Sequence, residues 1–329
     1  MIKIVFHGSN ALTFRDGFEA LLDVDHTIVE VPDDLTAERA RRDYAAADVI
    51  VGIRLTAAMP VPPALALYHV PGAGYDGIDL TALPAGASLC NCFGHEAAIA
   101  EYVMAALLAR HVPLADADQR LRQGDWKYWA GGPDGLRSEL GATSLGILGF
   151  GHIGRALAAR AKAFGMQVTV ANRSAVFAPD VVDRAYTLGK LEAFMGSADT
   201  IVNTLPLTAE TRGLVGATAL AAMRADAVIV NVGRGPVIDE AALYEALKSG
   251  RIGGAIIDTW YCYPTAEEPE PLPGRFPFHE LDNVVMTPHM SGWTHGTVRR
   301  RQGTIADNVN RLARGKGLRN VVYGGGAAG

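Results

Sequence analysis

Cysteine is scarce in this chain of 329 residues: Cys90, Cys92 and Cys262 are all it has. An odd, sparse set makes no disulfide framework and fits a reducing compartment. Cys90 and Cys92 lie one residue apart with no second pair nearby, so neither a zinc site nor any other metal is expected. Long hydrophobic runs are missing as well. No stretch of eighteen apolar residues occurs, and no membrane span is expected. The opening MIKIVFHG has a short strand pattern, not the longer apolar core of a signal peptide. These absences together set the expectation of a cytoplasmic protein. Charge of one sign is also lacking: 30 Lys and Arg stand against 35 Asp and Glu, a formal net charge of −5. That mild acidity argues against nucleic acid or an anionic membrane as a main partner. There are no internal repeats, and no low-complexity tract beyond the final GGGAAG.

What is present is apolar substance in short pieces. Apolar residues make up 49% and charged residues 20%, enough to bury a core, and the length suggests two domains. Apolar runs at 2–6, 27–31, 49–53 and 65–70 read as buried strands, and 14–22 and 36–47 as the helices between them. A longer helix is expected over 96–111, apolar nearly all round and therefore buried. A polar, Gly-rich stretch follows from 123 to 141. A second series of strands is then expected at 145–149, 167–171, 200–203, 227–232, 254–258 and 284–287. A closing helix at 297–313 and an extended tail at 318–323 end the chain. Strands alternating with helices imply parallel sheets covered on both faces, an α/β fold of doubly wound type.

The clearest motif opens that second series. Residues 144–154 read SLGILGFGHIG, an apolar strand running straight into Gly149, Phe150, Gly151, His152, Ile153 and Gly154. Apolar residues at helical spacing follow: Ile153, Leu157, Ala161 and Phe164. The first glycine permits a tight turn, the second lets a pyrophosphate approach the backbone, and the third allows close helix–strand packing. The helix N-terminus then faces the negative charge. A dinucleotide site is expected here. The next strand ends about twenty residues later at Asn172, Arg173 and Ser174. No carboxylate stands there to hold the ribose hydroxyls or to repel a 2′-phosphate. Arg173 suits such a phosphate, so NAD(P) is expected with a lean toward NADP.

The remaining motifs stand at later strand ends, where an open α/β sheet binds its ligands. They are Asn203-Thr-Leu-Pro-Leu-Thr208, Asn231-Val-Gly-Arg-Gly235, Ile257-Asp258 and Thr287-Pro-His-Met-Ser-Gly292. Thr204, Leu205, Pro206 and Thr211, with Val232, Gly233 and Gly292, are the further candidates for holding the dinucleotide. Asp258 is expected to hold the carboxamide or ribose. Hydride transfer to a 2-oxo acid needs a cation for the carboxylate and an acid for the forming alkoxide. Arg234 suits the first, since a guanidinium makes two hydrogen bonds to a carboxylate. His289 suits the second, since imidazole titrates near working pH.

As an ensemble, these motifs resemble the D-isomer-specific 2-hydroxyacid dehydrogenase family over nearly the whole chain. Val70-Pro-Gly-Ala-Gly-Tyr-Asp-Gly-Ile-Asp79, with Asn91, Gly94 and Glu101, belongs to the same likeness. The resemblance implies a Rossmann-type nucleotide domain, 101–290, inserted into a flavodoxin-like substrate domain made of 1–100 and 291–329. It implies a homodimer, a small 2-hydroxy or 2-oxo acid as substrate, D-specificity, and backbone N–H groups at Ala73 and Gly74 on the substrate carboxylate. Arg234 and His289 take the catalytic roles argued above.

One departure stands out. The family usually pairs its histidine with a glutamate five residues after the equivalent of Asp258, where this chain has Tyr263. Formate dehydrogenases carry Gln-Pro at that point, and Trp260 is similar to them. Glu268-Pro-Glu-Pro-Leu-Pro273 also resembles the usual Glu-Pro-Glu-Pro-Leu-Pro after an insertion. Either Tyr263 replaces the glutamate, or Glu270 supplies it from a lengthened loop. The first alignment is preferred because it needs no gap. With Tyr263 as partner, His289 is expected to be less basic than usual. The aromatics Phe93, Trp126, Tyr128, Trp129, Tyr261, Tyr263 and Trp293 fall near the expected cleft, as core and interface packing or as a lining for a bulkier acid. A non-catalytic dinucleotide sensor on the same fold is the competing reading, since the family includes transcriptional corepressors. A methyltransferase on a doubly wound sheet is a third, weakened by the TPHMSG segment.

Overall fold

The computed structural model describes residues 1–265 and 267–324. The chain divides into two compact units, 1–94 with the end of the chain from 294 onward, and 95–293. The first is built on five parallel strands: β1 Ile2–His7, β2 His26–Val31, β3 Val49–Val51, β4 Leu67–His69 and β5 Ser88–Cys90. Their order, β5-β4-β3-β1-β2, is the flavodoxin-like arrangement. A short terminal strand, Val321–Tyr323, adds to β5 in antiparallel sense.

Side chains alternate between two apolar layers on this sheet, as strand geometry requires. Val5, Ile50, Tyr68 and Leu89 enter one with Tyr44 of the helix Glu38–Ala45. Ile4, Phe6, Val49, Val51 and Leu67 enter the other with Ile305, Ala306 and Val309 of the helix His295–Ala313. Burial on both faces explains why these strands read as unbroken apolar runs. A polar tie joins the tail to the sheet. Asn308 Nδ2 donates to His69 Nε2 at 2.9 Å and to Arg319 O at 3.0 Å, while its Oδ1 accepts from Arg319 N at 2.8 Å. Burial pushes the His69 imidazole down to about 4, so the ring is neutral.

The second unit carries seven parallel strands: β6 Ser144–Leu148, β7 Gln167–Asn172, β8 Arg184–Thr187, β9 Thr200–Asn203, β10 Val228–Asn231, β11 Gly254–Ile257 and β12 Val284–Met286. Their order, β8-β7-β6-β9-β10-β11-β12, is Rossmann-type, reversing at β6. Helices Glu96–His111 and His152–Ala163 share one apolar layer through Val103, Leu107, Leu157 and Ala161. Helices Leu191–Met195, Ala217–Ala222 and Glu240–Lys248 share the layer on the opposite face. Because all seven strands run the same way, the segments after Leu148, Asn172, Asn203, Asn231, Ile257 and Met286 gather at one edge.

Three expectations are corrected. The segment 14–22, anticipated as a helix, is a turn followed by a short 3₁₀ helix at Phe18–Leu21 whose N-cap, Gly17, has a left-handed φ of 72°; the α-helix of this region comes earlier, at Gly8–Leu12. The second series has seven strands, not six, the addition being β8. The helix Glu96–His111 buries a stripe rather than its whole surface: Glu101, Ala105 and Ala109 are exposed. Among the described residues no single helix is long and apolar enough to cross a membrane, and no cluster of His, Cys, Asp or Glu is placed to hold a metal ion.

Candidate active site

The glycine loop has the geometry its spacing predicts. Gly149 has φ 96°, a region that favours glycine, and a Cβ there would lie 2.9 Å from Thr204 Oγ1 and 3.0 Å from Leu205. A Cβ at Gly154 would strike the Gly149 carbonyl, so that position keeps the helix close to the loop. Gly151 is the N-cap of His152–Ala163, and a Cβ there would meet no protein atom within 4 Å. Two positions therefore need glycine for the protein's own packing, while the third keeps the helix N-terminus approachable. That is the cradle a pyrophosphate fits. His152 is exposed and Ile153 half-buried at the start of the helix.

Thr204 extends this loop. Its hydroxyl donates toward Gly149 O at 3.0 Å and Leu148 O at 3.1 Å, tying the end of β9 to the end of β6. Beyond it, Leu205 is buried and Pro206 exposed. Thr211 Oγ1 donates to Pro206 O at 2.7 Å and accepts from Thr208 N at 2.8 Å, which closes that turn. At the end of β7, Asn172 Oδ1 accepts from Phe150 N at 3.4 Å and its Nδ2 donates to Ser174 O at 3.1 Å. Arg173 and Ser174 are exposed beside it.

The loop after β10 is shaped by two buried amides to which the sequence assigned no role. Asn203 Nδ2 donates to Asn231 Oδ1 at 2.8 Å, and Asn203 Oδ1 accepts from Leu205 N at 3.1 Å. Asn231 Oδ1 also accepts from Gly233 N, and its Nδ2 donates to Arg234 O at 3.2 Å. Val232 is buried, and Gly233 lies where a Cβ would come 2.6 Å from Leu205 O. The amide pair thus fixes the backbone from which Arg234 projects. Arg234 Nη1 donates to Gly233 O at 2.9 Å.

His289 sits in an unusual turn. Its φ of 56° is left-handed, a conformation sparsely populated by residues with a Cβ but visited more often by His, Asn and Asp than by most. The His289 N–H donates to Thr287 O at 3.1 Å. Asp258, fully buried after β11, holds the turn with three hydrogen bonds. Its Oδ1 accepts from Thr287 Oγ1 at 2.6 Å and Met290 N at 2.9 Å, and its Oδ2 accepts from Ser291 N at 2.9 Å. Its carboxylate thereby shapes the turn that carries His289. Gly292 closes the turn where a Cβ would come 3.3 Å from His95 and Ile99.

Tyr263 Oη lies 3.0 Å from His289 Nδ1 and accepts from Trp260 N at 3.0 Å. The two rings are tilted, with centroids 5.6 Å apart. Burial holds the Tyr263 phenol above its usual range; Trp260 N–H and the Arg234 charge oppose that and the Asp258 charge adds to it. Arg234, Asp258, Tyr263 and His289 therefore form one electrostatic cluster. Glu270 is exposed and makes no hydrogen bond or ion pair among the described residues, so the geometry takes the alignment without a gap.

The other sequence candidates have surroundings of their own. Ala73 and Gly74 belong to the other unit, on the segment after β4, where Ala73 O accepts from Asn91 Nδ2 at 2.8 Å. Of the aromatic set, Tyr261 is core: it stacks on Phe278 and donates to Ile238 O at 3.1 Å. Tyr128 donates to Asp116 at 2.7 Å, and Trp126, Trp129 and Trp293 are exposed in this chain.

Comparison with known proteins agrees with this geometry. Residues 104–291 match the family described as D-isomer specific 2-hydroxyacid dehydrogenase, NAD binding domain. A glyoxylate/hydroxypyruvate reductase B of Salmonella newport (strain SL254) is 34% identical over 323 residues, covering 94% of this chain and 95% of its own. A D-isomer specific 2-hydroxyacid dehydrogenase family protein of Aeromonas salmonicida superposes with a TM-score of 0.81 at 25% identity, covering 98% of this chain and 99% of its own. An NADPH-dependent glyoxylate/hydroxypyruvate reductase of Sinorhizobium meliloti, solved with citrate, gives a TM-score of 0.76 at 26% identity, covering 98% of each chain.

Proposed function

Because the chain belongs to the D-isomer-specific 2-hydroxyacid dehydrogenase family, and so is an oxidoreductase moving a hydride between NAD(P) and a 2-hydroxy or 2-oxo acid, we propose that it works as an NADPH-dependent reductase of short 2-oxo acids such as glyoxylate or hydroxypyruvate. The names of the relatives support the substrates. Asn172, Arg173 and Ser174 support NADPH, since they offer a guanidinium and no carboxylate where a 2′-phosphate would lie. The competing sensor reading has no support among these reductases.

The observation that carries the mechanism is the contact between Tyr263 Oη and His289 Nδ1 at 3.0 Å. With Nδ1 engaged, Nε2 is the nitrogen that trades a proton with substrate. Bound nicotinamide supplies the hydride to C2. Arg234 pairs with the substrate carboxylate and draws electron density from the carbonyl. His289 hands its Nε2 proton to the oxygen as the C–O bond loses its double character, and a 2-hydroxy acid results. On the family resemblance, the N–H groups at Ala73 and Gly74 also bind the carboxylate, 101–290 serves the nucleotide, and 1–100 with 291–329 serves the substrate. A homodimer in the cytoplasm is proposed on the same resemblance and on the sparse cysteines.

The test is a panel of 2-oxo acids with NADPH and NADH, followed at the nicotinamide absorbance. Turnover is expected with glyoxylate or hydroxypyruvate and NADPH. Asn172→Asp should lower the NADPH-to-NADH ratio of kcat/KM. His289→Ala should abolish most turnover while cofactor binding persists. Arg234→Lys should lower kcat/KM by about 100-fold, because an ammonium cannot make the two-pronged contact. Near-normal kcat/KM in either of these last two variants rules out the assignment.

A further inference from the structure

The turn that carries His289 has a support on the helix Glu96–His111. Tyr102, half-buried on that helix, places its Oη 2.7 Å from Thr287 Oγ1. Thr287 owns a single hydroxyl proton, and it goes to Asp258 Oδ1 at 2.6 Å. The proton between Tyr102 and Thr287 is therefore the tyrosine's. Donation runs one way, from Tyr102 to Thr287 to Asp258. Burial, the largest influence on the Tyr102 phenol, raises it above its ordinary range, so the hydroxyl keeps the proton that this direction needs. Asp258 in turn clamps the N–H groups of Met290 and Ser291. Thr287 is gripped from another side as well: Trp260 Nε1 donates to its carbonyl at 2.8 Å.

From this chain of contacts we infer that Tyr102 is a positioning residue for proton transfer by His289. Its O–H orients and polarises the Thr287 hydroxyl. That hydroxyl fixes one oxygen of Asp258, and the carboxylate keeps the left-handed turn in which His289 meets Tyr263. The inference rests on the reading of His289 as proton donor. None of the hydrogen bonds of the relay goes to the glycine loop, so removing the Tyr102 hydroxyl is expected to act on the chemical step and not on cofactor capture.

Tyr102→Phe keeps the ring and deletes the hydroxyl. The kcat for 2-oxo acid reduction is expected to fall about 3- to 10-fold while the KM for NADPH stays within about twofold. In a Thr287→Val background the relay is already cut, and Tyr102→Phe should then cost less than about 1.5-fold more. In Thr287→Ser, which keeps a hydroxyl, the full dependence on Tyr102 should persist. Equal losses in the valine and parent backgrounds, or an unchanged kcat in the single variant, overturn the relay. A second measurement is independent of turnover. Amide hydrogen exchange at Met290 and Ser291 should quicken in Tyr102→Phe, and unchanged exchange overturns the proposal whatever the substrate. Faster exchange combined with normal turnover in His289→Ala leaves the relay standing and removes the proton-donor reading instead.

Discussion

A hydroxyl group beside His289 gives the imidazole a partner that can both give and take a proton. Tyr263 Oη already accepts one hydrogen bond from Trp260. It retains its own proton, which suits a neutral ring at Nδ1, and a second lone pair, which suits an imidazolium. A carboxylate in that place accepts only, and its charge favours the imidazolium. Reduction needs the protonated ring, so a partner that raises the histidine pKa extends reduction to higher pH. Tyr263→Glu is therefore expected to move the alkaline fall of reductive kcat/KM upward by about one pH unit. Tyr263→Phe should lower kcat by loosening the ring, and Glu270→Gln should leave the profile in place. The pH dependence of kcat/KM in the three variants decides the matter; a profile shifted by Glu270→Gln alone would reverse the assignment. Both partners were readable from the sequence as rivals, but only coordinates could separate them. Spacing along a loop does not say which side chain turns back to the histidine.

Secondary-structure elements set the next level of constraint, and the glycine loop shows how differently equivalent-looking residues can behave. Gly149 is held by its φ of 96° and by Thr204 and Leu205, whereas a Cβ at Gly151 has open space before it. Gly149→Ala is expected to destabilise the second unit by about 1 kcal/mol or more, since the substitution is strained in both backbone and packing. Gly151→Ala should leave the melting temperature nearly unchanged and weaken NADPH binding. Thermal melts with and without NADPH separate the two, and matching stability losses would refute the distinction. The loop was legible because its three constraints fall within six consecutive residues.

The helix Glu96–His111 was legible to its ends for a related reason, a long apolar stretch with no glycine or proline. The 14–22 segment misled because Phe14, Phe18 and Leu21 or Leu22 fall at helical spacing. Both phenylalanines are indeed buried, but Phe14 lies in a turn and Phe18 opens a 3₁₀ helix capped by the left-handed Gly17, so no α-helix joins them. Strand β8, Arg-Ala-Tyr-Thr, was invisible because an edge strand with mostly exposed side chains carries no apolar run. Tyr102, Asn203 and Asn231 act through contacts 28 to 185 residues apart in the chain, and no local pattern announces them.

At the scale of the molecule, the first unit depends on a proton it does not bind. His69 accepts from Asn308 through Nε2 and titrates at about 4 when folded, against an ordinary 6.5 when unfolded. Between those values the unfolded chain takes up a proton there that the folded chain does not, so falling pH favours unfolding. Stability should therefore drop as pH is lowered from about 6.5 to about 4, by on the order of 3 kcal/mol at full depth. His7, also lowered mainly by burial, adds in the same direction. Guanidinium unfolding between pH 4 and 7 measures the slope, and His69→Gln should flatten it. An unaltered slope in that variant would place the acid sensitivity elsewhere.

The discontinuity of this unit has a consequence for the order in which the protein comes into being. The face of its sheet made by Ile4, Phe6, Val49, Val51 and Leu67 is completed by Ile305, Ala306 and Val309. A ribosome delivers the strands first and then the roughly 200 residues of the second unit before the covering helix emerges. At about 5–20 residues per second, the nascent sheet waits some 10 to 40 seconds with that face bare. The inserted unit can fold during this interval, while the segment made first must finish last. Newly made chains, more than finished ones, are thus the form in which this protein calls on chaperones.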